Sequence, residues 1–210
     1  MPGPQPLLAR TRGLYAITDG PRADLLGAAE AVLRGGAVLL QYRDKTGDRA
    51  RRRAEAAALR DLCAGFGVPL IINDDVELAA DVSAAGVHLG EHDGEPQAAR
   101  ARLGPDAVIG VSCYDSLDRA RTLAQASADY LTFGAFFPTM TKPGARRASP
   151  DLLRHARTFG LPLVAIGGIT PDNAQPLIAA GADLVAAVSG VFAAADPAAA
   201  ARRYANLFTK

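Results

Sequence analysis

The 210-residue sequence predicts an α/β fold, a single-domain (β/α)8 TIM barrel. Three observations carry this expectation. Eight short apolar runs recur along the chain, each followed by a stretch with helical spacing, which is the pattern of a parallel sheet with crossover helices. No shift in composition divides the chain, and its length suits one sizeable core but is short for two domains. Eight strand–helix units in one domain favour a closed barrel over an open sheet. No Gly-x-Gly-x-x-Gly follows a strand, which argues against a dinucleotide site.

The elements follow in order. Residues 14–18 read as the first strand, ended by the turn signal Asp19-Gly20-Pro21. Residues 23–34 have helical periodicity and stop at Gly35-Gly36. Residues 37–43 form the second strand, 48–66 a long Ala- and Arg-rich helix, 69–73 the third strand and 76–84 its helix. Strand four covers 86–90 with a short helix near 96–103, and strand five covers 107–112 with a helix over 117–126. Strand six, 129–134, leads into a long polar loop, after which Ser149 reads as a helix N-cap and Pro150 as the first helical position. Strand seven covers 163–167, and Pro171 opens a helix that ends near Gly181. Strand eight covers 183–188, and a last helix runs to about residue 206.

Residues 1–11 are proline-rich without the apolar run of a secretory signal, so they read as a loose tail before a barrel domain at 12–210. The most apolar long run, 178–195, is broken by Asp183, Gly181 and Gly190 and does not read as a membrane span. Hydrophobic residues make up 49%, charged residues 21%, and the net charge is +1. No strong field would draw nucleic acid or an anionic membrane, so neither is expected as a partner. Arg49, Arg51, Arg52 and Arg53 read as a solvated helix face. Cys63 and Cys113 sit in unrelated contexts with no disulfide or zinc spacing, which suits a reducing cytoplasm. The sequence leaves a homo-oligomer open.

In a barrel, function collects at the C-terminal strand ends. Strand three ends Ile72-Asn73-Asp74-Asp75. Carboxylates crowded at a strand end are costly unless something positive lies between them, and magnesium takes hard oxygen ligands. Capping of the next helix is the alternative for this pair. Strand four is the neighbour and delivers Asp93 just past its end, so Asp74 and Asp93 could flank one ion. His88 reads as a satisfied interior residue and His92 as a loop residue, and no third soft ligand completes a two-histidine site.

Along strand two, Gln41, Arg43 and Lys45 share a face. An amide and two cations pointing into a barrel mouth suit pyrophosphate, or else an ion pair with Asp44 or the Asp74/Asp75 group. Ser112 ends strand five. The loop after strand six carries Phe136, Phe137, Thr139, Met140, Thr141 and Lys142, which suits a binding loop or lid, with at least one of the aromatics packed beneath it. Gly167-Gly168 after strand seven and Val188-Ser189-Gly190 after strand eight would let backbone N–H groups approach a phosphate.

These stretches, LYAITDG, GGAVLLQYRDK, IINDD, GVHLG with Asp93, GVS, ADYLTFGAFFPTMTK, VAIGGI and AVSG, resemble thiamine-phosphate synthases. They lie in order from residue 14 to 190. The resemblance implies magnesium-dependent joining of hydroxymethylpyrimidine diphosphate to a thiazole phosphate, plain or carboxylated, releasing pyrophosphate. It implies that Gln41, Arg43, Lys45, Asn73 and Lys142 hold the pyrophosphate end and that Asp74 and Asp93 bind magnesium. Ser112 would lie on the pyrimidine side, Thr139 and Thr141 at the thiazole, and Gly168, Val188 and Ser189 at its phosphate. Tyr42, Asp44 and Met140 also count among the substrate-binding residues, and Lys142, Ser112 and Arg43 are the catalytic candidates. Met140 departs from the proline usual in this family between the two threonines, and Glu91 from a glutamine. Two other readings are a thiazole tautomerase and a non-catalytic thiazole-phosphate-binding barrel. Neither would need a pyrophosphate pocket.

Overall fold

The computed structural model describes residues 8, 11–139, 144 and 146–209. Eight parallel strands close on themselves in sequence order. They are β1 (Gly13–Ile17), β2 (Ala37–Tyr42), β3 (Leu70–Asn73), β4 (Gly86–Leu89), β5 (Val108–Tyr114), β6 (Tyr130–Phe133), β7 (Leu163–Ile166) and β8 (Leu184–Ala187). Pairing of β1 with both β2 and β8 seals the barrel. Helices α1 (Leu25–Arg34), α2 (Arg49–Phe66), α3 (Val76–Asp81), α4 (Pro96–Leu103), α5 (Leu117–Gln125), α6 (Pro150–Ala156) and α7 (Gln175–Ala180) follow the first seven strands. Two helices, α8 (Ser189–Phe192) and α9 (Pro197–Ala205), follow β8. No helix among the described residues is long and apolar enough to cross a membrane.

The two-residue alternation of strands sorts the core into two layers. Tyr15, Ile17, Leu39, Ile71, Val108, Tyr130, Val164, Leu184 and Ala186 fill the barrel interior. Their neighbours Leu14, Ala16, Leu40, Tyr42, Leu70, Ile72, Ile109, Val111, Leu131 and Val185 face the helices. The helices answer with one apolar face each; α1 buries Leu25, Ala28, Ala29, Val32 and Leu33, a three-to-four residue spacing. Leu8 is buried in the interior cluster, so at this residue the tail is not loose but packs against the barrel.

The start of α6 is as expected, with Ser149 at the N-cap and Pro150 first in the helix, although the Ser149 side chain makes no capping bond. Other boundaries differ from expectation for local reasons. Residues 171–173 form a turn, and the helix begins at Gln175 instead of Pro171. Asn173 explains this: its Oδ1 accepts from Thr170 N–H at 2.8 Å and holds the segment in a side-chain-closed turn. The expected last helix is two, because Asp196 accepts from Ala199 N–H at 2.9 Å and Pro197 follows in the first turn, which starts a new helix. The arginine-rich face of α2 is not simply solvated. Arg51 pairs with the fully buried Asp44 carboxylate at 2.7 Å and with Glu55 at 2.9 Å, and Arg52 pairs with Asp75 at 3.0 Å.

Candidate active site

The C-terminal mouth of the barrel opens into a cavity of about 850 Å³. Residues from all eight strand ends line it, including Gln41, Arg43, Lys45, Asn73, Asp74, Asp93, Ser112, Thr139, Gly168, Val188 and Ser189. Eleven positions singled out in the sequence thus meet in one place. Met140, Thr141 and Lys142 lie outside the described residues.

The side chains of two residues counted among the substrate-binding set turn away from the cavity. Tyr42 follows the alternation of β2 and points out of the barrel, where its phenol donates to Glu55 Oε2 at 2.6 Å. Asp44 is turned to α2 and to the Thr46 N–H, whose bond to Oδ1 is 2.7 Å. Burial opposes ionisation of Asp44, but Arg51 and the Thr46 bonds together hold its carboxyl below the usual range. The same alternation that turns Gln41 and Arg43 inward turns these two away.

The acidic pair at the end of β3 splits its duties. Asp75 caps α3, accepting from Leu78 N–H at 2.9 Å. Asp74 faces the cavity instead, from a left-handed backbone at φ 64°. Aspartate is among the few residues that adopt this conformation readily. Lys45 reaches Asp74 at 3.2 Å. Burial, and then hydrogen-bonding contact with the Asp93 carboxyl, push Asp74 above the usual carboxylate range. Asp93 is fixed from its other side by the Gly90 N–H, 2.8 Å from Oδ2. Among the described residues no set of three or more His, Cys, Asp or Glu side chains gathers for a metal. What the mouth offers is two carboxylates pressed together with space beside them.

Arg43 faces the cavity, and its guanidinium has no hydrogen-bond or ion-pair partner among the described residues. The structural ion pair that could have absorbed it does not form, because Asp44 is taken by Arg51, Asp74 by Lys45 and Asp75 by Arg52. A half-buried cation without a partner suits a ligand anion.

Across the mouth, the chain after β7 passes Gly168 at φ 62°, where a Cβ would collide with Pro138 O and Phe137. Only glycine allows this loop to pack beneath the one after β6. Asn173 Nδ2 donates to Gly168 O at 3.1 Å and holds it there. After β8 the chain enters the single turn of α8, with Val188 as its N-cap. Among the described residues, the N–H groups of Gly168, Ser189 and Gly190 have no backbone acceptor. This is the arrangement by which many barrels hold a phosphate.

Several residues in this region carried no legible signal. Tyr15 lines the cavity floor, and its partner Tyr130 lies 115 residues away, so only barrel closure joins them. Thr132 lines the cavity too, and its buried hydroxyl finds no partner among the described residues. Tyr114 sits past an irregularity in the β5–β6 pairing, at φ 55°, with the Arg119 and Arg146 guanidinium groups at 5.9 and 5.0 Å from its ring centre. Arg146 also pairs with Glu91 at 3.2 Å and Asp115 at 3.6 Å, which gives Glu91 a partner away from Asp93. Phe136 is buried and Phe137 packs against the same core, as expected for aromatics beneath the loop.

A closed barrel whose mouth gathers two paired carboxylates, a cation without a partner among the described residues and a backbone cradle has the form of a (β/α)8 enzyme. The pattern of the family described as thiamine monophosphate synthase matches residues 14–191. A thiamine-phosphate synthase of Xanthomonas campestris pv. campestris (strain 8004) is 57% identical over 207 residues, covering 98% of this chain and all of that one. Another, from Azoarcus sp. (strain BH72), is 57% identical over 202 residues, 95% and 98% of the two chains. A solved thiamine phosphate pyrophosphorylase from Pyrococcus furiosus superposes with a TM-score of 0.86 at 32% identity over 95% of this chain and 96% of that one. The chain belongs to the thiamine monophosphate synthase family.

Proposed function

We propose that this chain joins hydroxymethylpyrimidine diphosphate to a thiazole phosphate, forming thiamine phosphate and releasing pyrophosphate. The observation that carries this is the Arg43 guanidinium, without a partner among the described residues, facing the same cavity as the Asp74–Asp93 pair. In the reaction the thiazole nitrogen gives its lone pair to the pyrimidine methylene carbon. The carbon–oxygen bond breaks, and pyrophosphate leaves with that electron pair. No proton is removed from the nucleophile, so no general base is required.

Each part of the mouth has a task in this reading. Arg43, Lys45 and Asn73, with Lys142, hold the diphosphate and stabilise the charge that develops as it leaves. Ser112 lies on the pyrimidine side in this reading, and Gln41, expected at the pyrophosphate end, is assigned there with it because its amide is linked to Ser112 through Tyr15, Tyr130 and His88. Thr139 and Thr141 lie at the thiazole. The N–H groups at Gly168 and Ser189, after β7 and β8, take the thiazole's phosphate. Asp74 and Asp93 would hold magnesium, which fits two carboxylates that repel each other and a substrate that brings phosphate oxygens. When bound, it neutralises charge on the leaving pyrophosphate. The buried free thiols Cys63 and Cys113 fit a reducing compartment, which supports a cytoplasmic enzyme.

A tautomerase would need a proton-transferring group with a free nitrogen or oxygen. His88 offers none, as Tyr130 and Ser112 occupy both of its ring nitrogens at 3.0 and 2.9 Å. Thermal unfolding with magnesium, pyrophosphate or both separates the readings. A pair bound at a hundredfold its Kd stabilises by about 2.7 kcal/mol, which is roughly 5–10 °C for a chain of this size. A shift seen only with both together is expected. No shift would favour the tautomerase or the binding barrel.

A further inference from the structure

Beneath the mouth, five side chains from five strands are hydrogen-bonded in one line. Gln41 Nε2 on β2 donates to the Tyr15 hydroxyl on β1 at 2.6 Å. The Tyr15 and Tyr130 hydroxyls are 2.8 Å apart, joining β1 to β6. The Tyr130 hydroxyl lies 3.0 Å from His88 Nδ1 on β4, and His88 Nε2 lies 2.9 Å from Ser112 Oγ on β5. The Tyr130 ring stacks on the imidazole, with centroids 5.6 Å apart and planes at 24°. It is seated against Gly110, where a Cβ would overlap the phenol.

We propose that Tyr15, Tyr130 and His88 are positioning residues: they form a proton-ordered chain that ties the hydrogen-bonding polarity of Gln41 to that of Ser112. The order follows from counting protons. A Tyr15 oxygen that accepts from Gln41 has its own proton left for Tyr130. Tyr130 then passes its proton toward His88 Nδ1. A neutral imidazole that accepts at Nδ1 carries its proton on Nε2 and donates to Ser112 Oγ. The Ser112 proton is left over for the cavity, and the Gln41 carbonyl remains an acceptor there.

The opposite order is also internally consistent, but every member must reverse together and the Gln41 amide must turn over. The ends therefore cannot choose their polarity independently, although they stand on β2 and β5. Burial keeps the middle of the chain uncharged. It pushes both phenols well above their usual range and His88 down to about 4, against a weaker opposite pull from Asp93. A fully apolar floor would need phenylalanines here and no histidine.

The consequence is a preference for ligands that present an acceptor to Ser112 and a donor to Gln41. Taking that ligand to be the aminopyrimidine, with its amino donor and ring-nitrogen acceptors, rests on the function proposed above. The chain itself does not depend on it.

The test begins with nitrogen NMR of histidine-labelled, unliganded protein, with His92→Gln and His155→Gln used to assign the three histidines. His88 is expected as a neutral Nε2–H tautomer at pH 7. Tyr130→Phe keeps the stacked ring and removes the hydroxyl, so the tautomer signal should shift toward a mixture. In kinetics Tyr130→Phe and Tyr15→Phe should each raise KM for the pyrimidine diphosphate about tenfold, while KM for the thiazole phosphate stays within about twofold. An Nδ1–H tautomer or an imidazolium in the wild type would overturn the proposal. So would a Tyr130→Phe protein, still folded, with unchanged tautomer and unchanged KM. Wild-type protein without turnover would sink the reaction assignment instead, and the tautomer signal would still judge the chain.

Discussion

Asp74 concentrates the cost of the site in one residue. Its folded-state pKa is raised, first by burial and then by Asp93, so the folded chain holds this proton more tightly than the unfolded chain does. The resulting stability is fully present below the unfolded value and is lost as pH rises through the raised folded value. At neutral pH the ionised carboxylate is therefore a burden. Asp74→Asn should raise the metal-free stability at pH 7 by on the order of 1 kcal/mol, seen as a higher Tm. The gain should shrink as pH falls into the range where Asp74 takes up its proton, and thermal melts across pH 4–8 check it. Loss of the Lys45 partner takes little away, as half-exposed ion pairs contribute little.

Arg43 and Tyr42 make a second test at this scale, since adjacent residues face opposite ways. Arg43→Ala should lower kcat/KM by roughly 10- to 100-fold, from about 1.5–3 kcal/mol for a charge-assisted bond. Tyr42→Phe should leave both kinetic constants alone and lower stability by about 1 kcal/mol through its lost bond to Glu55. Equal kinetic damage from both would place Tyr42 in the site after all. The inward face of β2 was legible because strand alternation is local. Tyr15, Tyr130 and Thr132 were not, because each reads as an ordinary strand residue until the barrel brings their strands together.

At the scale of elements, strand ends and helix caps hold the mouth in place. Asp129, just before β6, is buried and accepts from Ile109 N–H at 2.7 Å and from Arg100 at 2.6 Å, which ties β6 to β5 and α4. Removing one partner of such a pair strands the other. Asp129→Ala should therefore cost about 3 kcal/mol in denaturant unfolding with an unchanged m-value; a loss below about 1 kcal/mol would show that the pair is dispensable. Element type was legible throughout, since apolar periodicity decides it. The boundaries after β7 and β8 were not. Asn173 closes a turn on Thr170 and Asp196 restarts a helix, and these are side-chain-to-backbone bonds that compete with helix formation and leave no periodic trace.

For the whole molecule, closure is what turns scattered motifs into a site. Arg43, Asp74, Asp93, Ser112, Gly168 and Ser189 come from six different strand ends and share one cavity only because β1 pairs with β8. The motif order along the chain made this gathering predictable once a closed barrel was inferred. In the proposed function the gathered mouth expels pyrophosphate as the two ring systems join. The most direct measurement is a coupled pyrophosphate-release assay with purified protein, hydroxymethylpyrimidine diphosphate and magnesium, with the thiazole phosphate added or omitted. Release that requires both substrates and magnesium, matched by an equal amount of thiamine phosphate, is the result expected here. No release, with interconversion of thiazole phosphate tautomers instead, would contradict it.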